Sequence, residues 1–133
     1  MEVNMLKIKL ADGVEREVLE NTAIHPSYNS NSRNRMEIYM DSSAMSLSDF
    51  VSLFSESNTD EIHIIGEFDL NGKKKTTDTA YFGYSYVSSV GMQRSAATNL
   101  ETGEPVEVVA LVAVLEQLTY IEKQLKAMGV NIP

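Results

Sequence analysis

The chain has 133 residues, 43% of them apolar, with 19 acidic residues against 11 basic ones, a net charge of −8 and no cysteine. That size and apolar share fit one ordinary domain, 1–133. The missing cysteine excludes a disulfide framework and a thiolate metal site, and the acidic balance disfavours nucleic acid and anionic membranes, because phosphate recognition needs clustered cations.

The N-terminus lacks a basic stretch followed by an apolar one, so no secretory signal is expected. No apolar run approaches the roughly 18 residues of a membrane span. In Met5–Leu10, Leu6, Ile8 and Leu10 alternate with Lys7 and Lys9, the pattern of a half-buried strand. Asp12-Gly13 supplies a turn, and Val14–Leu19 returns with Glu15 and Glu17 on the wet side. Pro26 pushes His25 into an extended conformation. Asn29–Arg35 holds only Asn, Ser and Arg, which predicts a long hairpin tip or a mobile loop. Met36, Ile38 and Met40 alternate with Glu37, Tyr39 and Asp41 as a further strand.

Ser46–Phe54 gives the clearest helix, expected over about 47–55. Ser46 caps it, and the charge of Asp49 meets the positive end of the helix dipole. Leu47, Phe50, Val51 and Phe54 fall on one face. Glu61–Phe68 reads as a strand, Asn71-Gly72 as a hairpin turn, and Lys73–Thr79 as a polar returning strand. The Lys73-Lys74-Lys75 cluster fits a solvated hairpin arm. Tyr81–Gln93 is aromatic and β-branched, hence a strand, with Gly83 and Gly91 as candidate bulges or close approaches. Arg94–Glu104, small and polar, is expected as a surface loop.

Val106–Met128 admits one long helix or a strand followed by a shorter helix. Val106, Val108, Val109, Val112 and Val114 favour the strand, placed at 106–116. Val108–Leu115 should be central and covered on both faces. Thr119 and Glu122 form a capping box for a helix at about 119–128. Gly129 is a left-handed C′ residue, and Val130 its apolar companion. Leu118, Ile121, Leu125 and Met128 make one stripe, expected to dock on the protein's own sheet or to meet a second copy. Parallel strands would need helical crossovers, whereas this chain offers hairpins. The expected class is therefore α+β: a mainly antiparallel twisted sheet or small barrel, with one internal helix and a C-terminal helix.

The chemistry is sparse. His63 lies between Ile62 and Ile64 and should point to the opposite face, while His25 should sit in a loop. Neither zinc-hydrolase spacing nor a Gly-rich phosphate motif occurs, and Ser42-Ser43 lacks a nucleophile elbow. No catalytic residue, cofactor or metal ligand is assigned. Tyr81, Tyr84 and Tyr86 form a candidate binding surface for sugar or peptide, although cross-strand packing explains them equally well.

The order of segments is also informative. MLKIKLADG with EVLE after it, a strand near residue 38, SLSDFVSLF, YSYVSSVGMQ and LEQLTYIEKQL follow one another with a polar loop and an apolar strand before the last. This order resembles small proteins encoded in the tail-gene regions of phages and prophages of Gram-positive bacteria. The resemblance implies a non-enzymatic structural or tail-associated protein. Its partners would be other tail proteins or itself, with no nucleic acid and no membrane. It implies residence in the host cytoplasm during assembly, with incorporation into the virion left open, and it transfers no site residues. The alternative is a small carbohydrate- or peptide-binding module using exposed tyrosines.

Overall fold

A computed structural model describes residues 2–27, 32–98 and 102–130. Eight strands run β1 (Glu2–Lys9), β2 (Glu15–Val18), β3 (Ala23–His25), β4 (Arg35–Asp41), β5 (Glu61–Leu70), β6 (Lys73–Phe82), β7 (Tyr86–Thr98) and β8 (Pro105–Glu116). Helix α1 (Leu47–Ser52) lies between β4 and β5, and α2 (Tyr120–Ala127) follows β8. The fold is α+β and mainly antiparallel. It has two four-stranded sheets, ordered β2-β1-β5-β6 and β3-β4-β8-β7. The two meet where the Leu19 N–H, just past β2, donates to the Tyr39 carbonyl on β4 at 2.7 Å.

Alternation decides which side of each strand is dry. Ile8, Leu10 and Ile62 from one sheet meet Met36, Ile38, Met40, Leu111, Ala113 and Leu115 from the other, all at most 2% exposed. Register keeps these rows together, with Met36 opposite Leu115, Ile38 opposite Ala113 and Met40 opposite Leu111. Phe50 is fully buried and meets Phe54 edge-on at 4.9 Å, so α1 plugs the core with aromatic rings. The expected apolar face of α1 is only half right. Leu47 and Val51 are exposed, because so short a helix presents one narrow stripe.

Turn chemistry was legible. Asn71 and Gly72 have φ of 53° and 80°, the pair of positive values a type I′ hairpin needs. Gly83 has φ 79° and makes the break between β6 and β7. The expected strand 81–93 is thus divided, with Tyr81 and Phe82 closing β6. Gly91 pairs regularly with Val112, and the bulge lies instead between Val87 and Ser89. His25 belongs to β3, paired with Arg35, rather than to a loop.

Two further expectations are corrected. Arg94–Thr98 is not a loop but the far half of β7, paired with Val109–Pro105. β8 is central, between β4 and β7, but only its second half is enclosed: Ala110–Ala113 and Leu115 are buried, while Val106 and Val109 are exposed. An apolar run says that residues seek cover. It does not say that the opposing sheet is long enough to provide it. Since the core depends on Phe50, Phe50→Ala should cost about 3–5 kcal/mol, measured as a lowered urea midpoint with an unchanged slope.

Candidate functional site

One pole of the molecule gathers the end of β6, the start of β7, the end of β8, and α2. Gln117 is its junction. Its side-chain amide donates to the Phe82 carbonyl at 2.6 Å, and its backbone N–H donates to the Asn34 carbonyl at 3.0 Å. The Asn34 side chain donates back to Gln117 Oε1 at 2.7 Å and accepts from the Ser27 N–H at 2.8 Å. The polar segment before β4 is therefore anchored at residues 32–35. Mobility was expected over 29–35, and Asn29–Asn31 lie outside the described residues. Asn and Arg need no apolar anchor when backbone groups and carboxylates are in reach.

Arg33 is the strongest anchor. Its Nη1 donates to Glu116 Oε1 at 3.0 Å, its Nε to Glu122 Oε1 at 2.9 Å, and its Nη2 to Glu122 Oε2. Its guanidinium carbon lies 4.1 Å above the Tyr86 ring, a cation–π stack. The fork of Arg suits a bidentate carboxylate. The hydrogen bond from Arg33 is the main reason that the Glu122 carboxyl falls from 4.5 to about 2. The same bond holds the Arg33 guanidinium above its ordinary value.

Glu122 also completes the capping box of α2. Its N–H donates to Thr119 Oγ1 at 3.2 Å, and its carboxylate accepts from the Thr119 N–H at 3.1 Å. At the other end, Gly129 N–H bonds the Lys126 carbonyl and Val130 N–H the Leu125 carbonyl, both at 3.0 Å. That is the paired closure of a Schellman motif. The ends of α2 were readable, but its docking was not. None of its residues is buried, and Ile121 and Met128 are 59% and 78% exposed. The stripe does not lie on the protein's own sheet. α2 is held by Arg33 and by Lys126 Nζ, 3.3 Å from Glu56 Oε1.

The three tyrosines do not form an exposed platform. Tyr84 is 4% exposed, and burial pushes its hydroxyl up from the ordinary value. Tyr81 meets it edge-on at 6.3 Å. Tyr86 lies under Arg33, apart from that pair. The exposed rings are Phe82 beside them and Tyr120 at the start of α2. Beside α2 runs an open groove of about 680 Å³, lined by Asp60, Gly83, Tyr86, Leu118, Lys123 and Val130 among others. Opposite charges face each other across it, and no histidine stands among its described lining residues. His63 lies elsewhere, on the outer face of β5, with Nδ1 2.6 Å from Asp78 Oδ1 and Nε2 3.4 Å from Glu61. Among the described residues no group of three or more His, Asp or Glu side chains is placed to hold a metal ion.

The larger surface features are two hairpins that leave this pole. β6 is exposed throughout Lys73–Thr79. No ion pair engages Lys73, Lys74 or Lys75 among the described residues. In the second hairpin Met92, Val106 and Val109 are 53%, 42% and 45% exposed. Arg94 meets Glu107 at 3.5 Å on the strand surface. β6 and β7 each form the outer edge of their sheet. The sequence identified the basic arm, but it hid the second one behind polar residues that look like a loop.

The Arg33–Glu122 contact has a defined pH signature. A carboxyl lowered on folding contributes stability that is complete above its ordinary 4.5 and is lost as pH falls towards about 2. Urea midpoints of the wild type and Glu122→Gln should differ at pH 7 and converge across that window. Arg33→Ala should cost about 1–3 kcal/mol, with faster amide exchange in α2.

No protein-family model, curated protein or solved structure matches the chain at a significant level.

Proposed function

We propose that the chain is a non-enzymatic structural or assembly subunit of the kind encoded in phage and prophage tail-gene regions, acting with other tail proteins or with copies of itself. The observation that carries this reading is the pair of long hairpins extending past the core. Their outer strands β6 and β7 form sheet edges, and in the second hairpin apolar Met92 on β7 and Val106 and Val109 on β8 stand exposed. Long edges with exposed apolar side chains invite pairing with another chain, and stable monomers ordinarily suppress them. A sugar- or peptide-binding module built on Tyr81, Tyr84 and Tyr86 has less support, because Tyr84 is buried and Tyr86 is covered by Arg33. No helix among the described residues is long and apolar enough to cross a membrane.

The test is assembly. Sedimentation and negative-stain microscopy across the micromolar range should show concentration-dependent oligomers. Shortening the second hairpin by removing residues 95–108 should leave a folded monomer. A wild-type chain that stays strictly monomeric, alone and with the products of neighbouring genes, would overturn the proposal.

A further inference from the structure

The free edges of the two sheets are unequal in what they can bind. β3 has three residues, and β2 has four and runs into the Tyr39 carbonyl of β4. Only β6, with ten residues, and β7, with thirteen, are long enough to add a strand from outside. A bulge interrupts β7 only at Val87–Ser89. Beyond it the exposed Ala96 is small, so another backbone can approach closely there, while the neighbouring Ser95 hydroxyl accepts from the Asn21 side-chain amide at 2.6 Å. In β6, Thr76, Thr77 and Thr79 are β-branched and suited to a sheet.

Charge distinguishes the two edges. Lys73, Lys74 and Lys75 sit at the turn end of β6, with 8 basic residues left in the whole remaining chain against its 19 acidic ones. At the turn end of the other hairpin stand Glu104 and Glu107, both exposed, with Arg94 as the nearby cation. Direction completes the match. Both hairpins start from the pole where Gln117 holds Phe82. β6 runs from its turn back to that pole, and β7 runs from the pole out to its turn. Antiparallel pairing of β6 of one copy with β7 of the next therefore brings the two turn ends together, lysines beside glutamates.

Resting on the assembly reading above, we infer that the partner of β6 is β7 of a second copy, joined edge to edge into a continuous intermolecular sheet. Because β6 and β7 are different surfaces, the contact is heterologous. Each copy keeps one edge free for the next, so the product is a closed ring or an open filament and not a two-fold dimer.

A charge-swap pair tests this in the full-length chain. One variant carries K73E, K74E and K75E, and the other carries E104K and E107K. Each alone sets like charges together and should raise the half-assembly concentration about tenfold or more. An equimolar mixture restores opposite charges at every contact and should assemble as the wild type does. Circular dichroism and melting temperature check that both variants fold, and slowed amide exchange in both β6 and β7 on assembly locates the contact. Wild-type assembly that both variants match would overturn the edge pairing while leaving the assembly reading standing. Assembly lost in the variants but not rescued by mixing would assign the lysines to another surface and also overturn the pairing. A wild-type chain that is monomeric by itself would overturn the edge pairing, and one that also stays monomeric with the products of neighbouring genes would overturn both.

Discussion

Everything in this fold depends on how far one core extends. The inner faces of β4 and β8 share three fully enclosed rows, Met36 with Leu115, Ile38 with Ala113 and Met40 with Leu111. The opposite sheet answers with Ile8, Leu10 and Ile62, and α1 adds Phe50 and Phe54. Burial of apolar surface drives such packing roughly in proportion to the area removed from water. Strands that outrun the core gain little beyond ladder hydrogen bonds. β6, flanked only by β5, and the half of β7–β8 beyond Val109 do outrun it. Their far ends are therefore surfaces first and scaffold second, and the molecule has reach beyond what its core alone would give.

A second, polar layer of organisation sits at one pole. Arg33 comes from the segment between β3 and β4, yet it binds the end of β8 and the first turn of α2 while covering Tyr86. A guanidinium fork in a partly desolvated position ties these three segments together. Gln117 and Asn34 reinforce it through paired amide hydrogen bonds. The result is a pole whose geometry is set by charge and hydrogen bonding, next to a core set by burial.

Local chemistry made much of this legible. The capping box at Thr119 and Glu122, the Gly129 closure, the Asn71-Gly72 turn and the alternating rows of β1 and β4 all follow from neighbours within a few residues. What the sequence hid depends on distant partners. Arg94–Thr98 is polar and small, and only pairing with Pro105–Val109 makes it a strand. The stripe on α2 has helical spacing, but nothing local says whether a sheet lies within reach. Arg33 looked like one more polar loop residue, because its carboxylates lie 83 and 89 positions away along the chain. The tyrosines shared a strand-like pattern, but the turn at Gly83 sets Tyr81 against the buried Tyr84, while Tyr86 lies under Arg33.

The attachment of α2 has a dynamic consequence. Its ends are fully capped, so it can persist as a helix by itself better than its eight residues suggest, yet it contributes no buried side chain to the core. Elements of this kind open locally at a cost well below that of global unfolding. The two ties are ionic, so the opening equilibrium responds to ionic strength, which leaves the apolar core nearly indifferent. When α2 swings out about residues 117–119, the groove loses the wall formed by Lys123 and Lys126, while Arg33 still has Glu116 as a partner above Tyr86. The attachment of α2 thus depends on salt in a way that the packing of the two sheets does not.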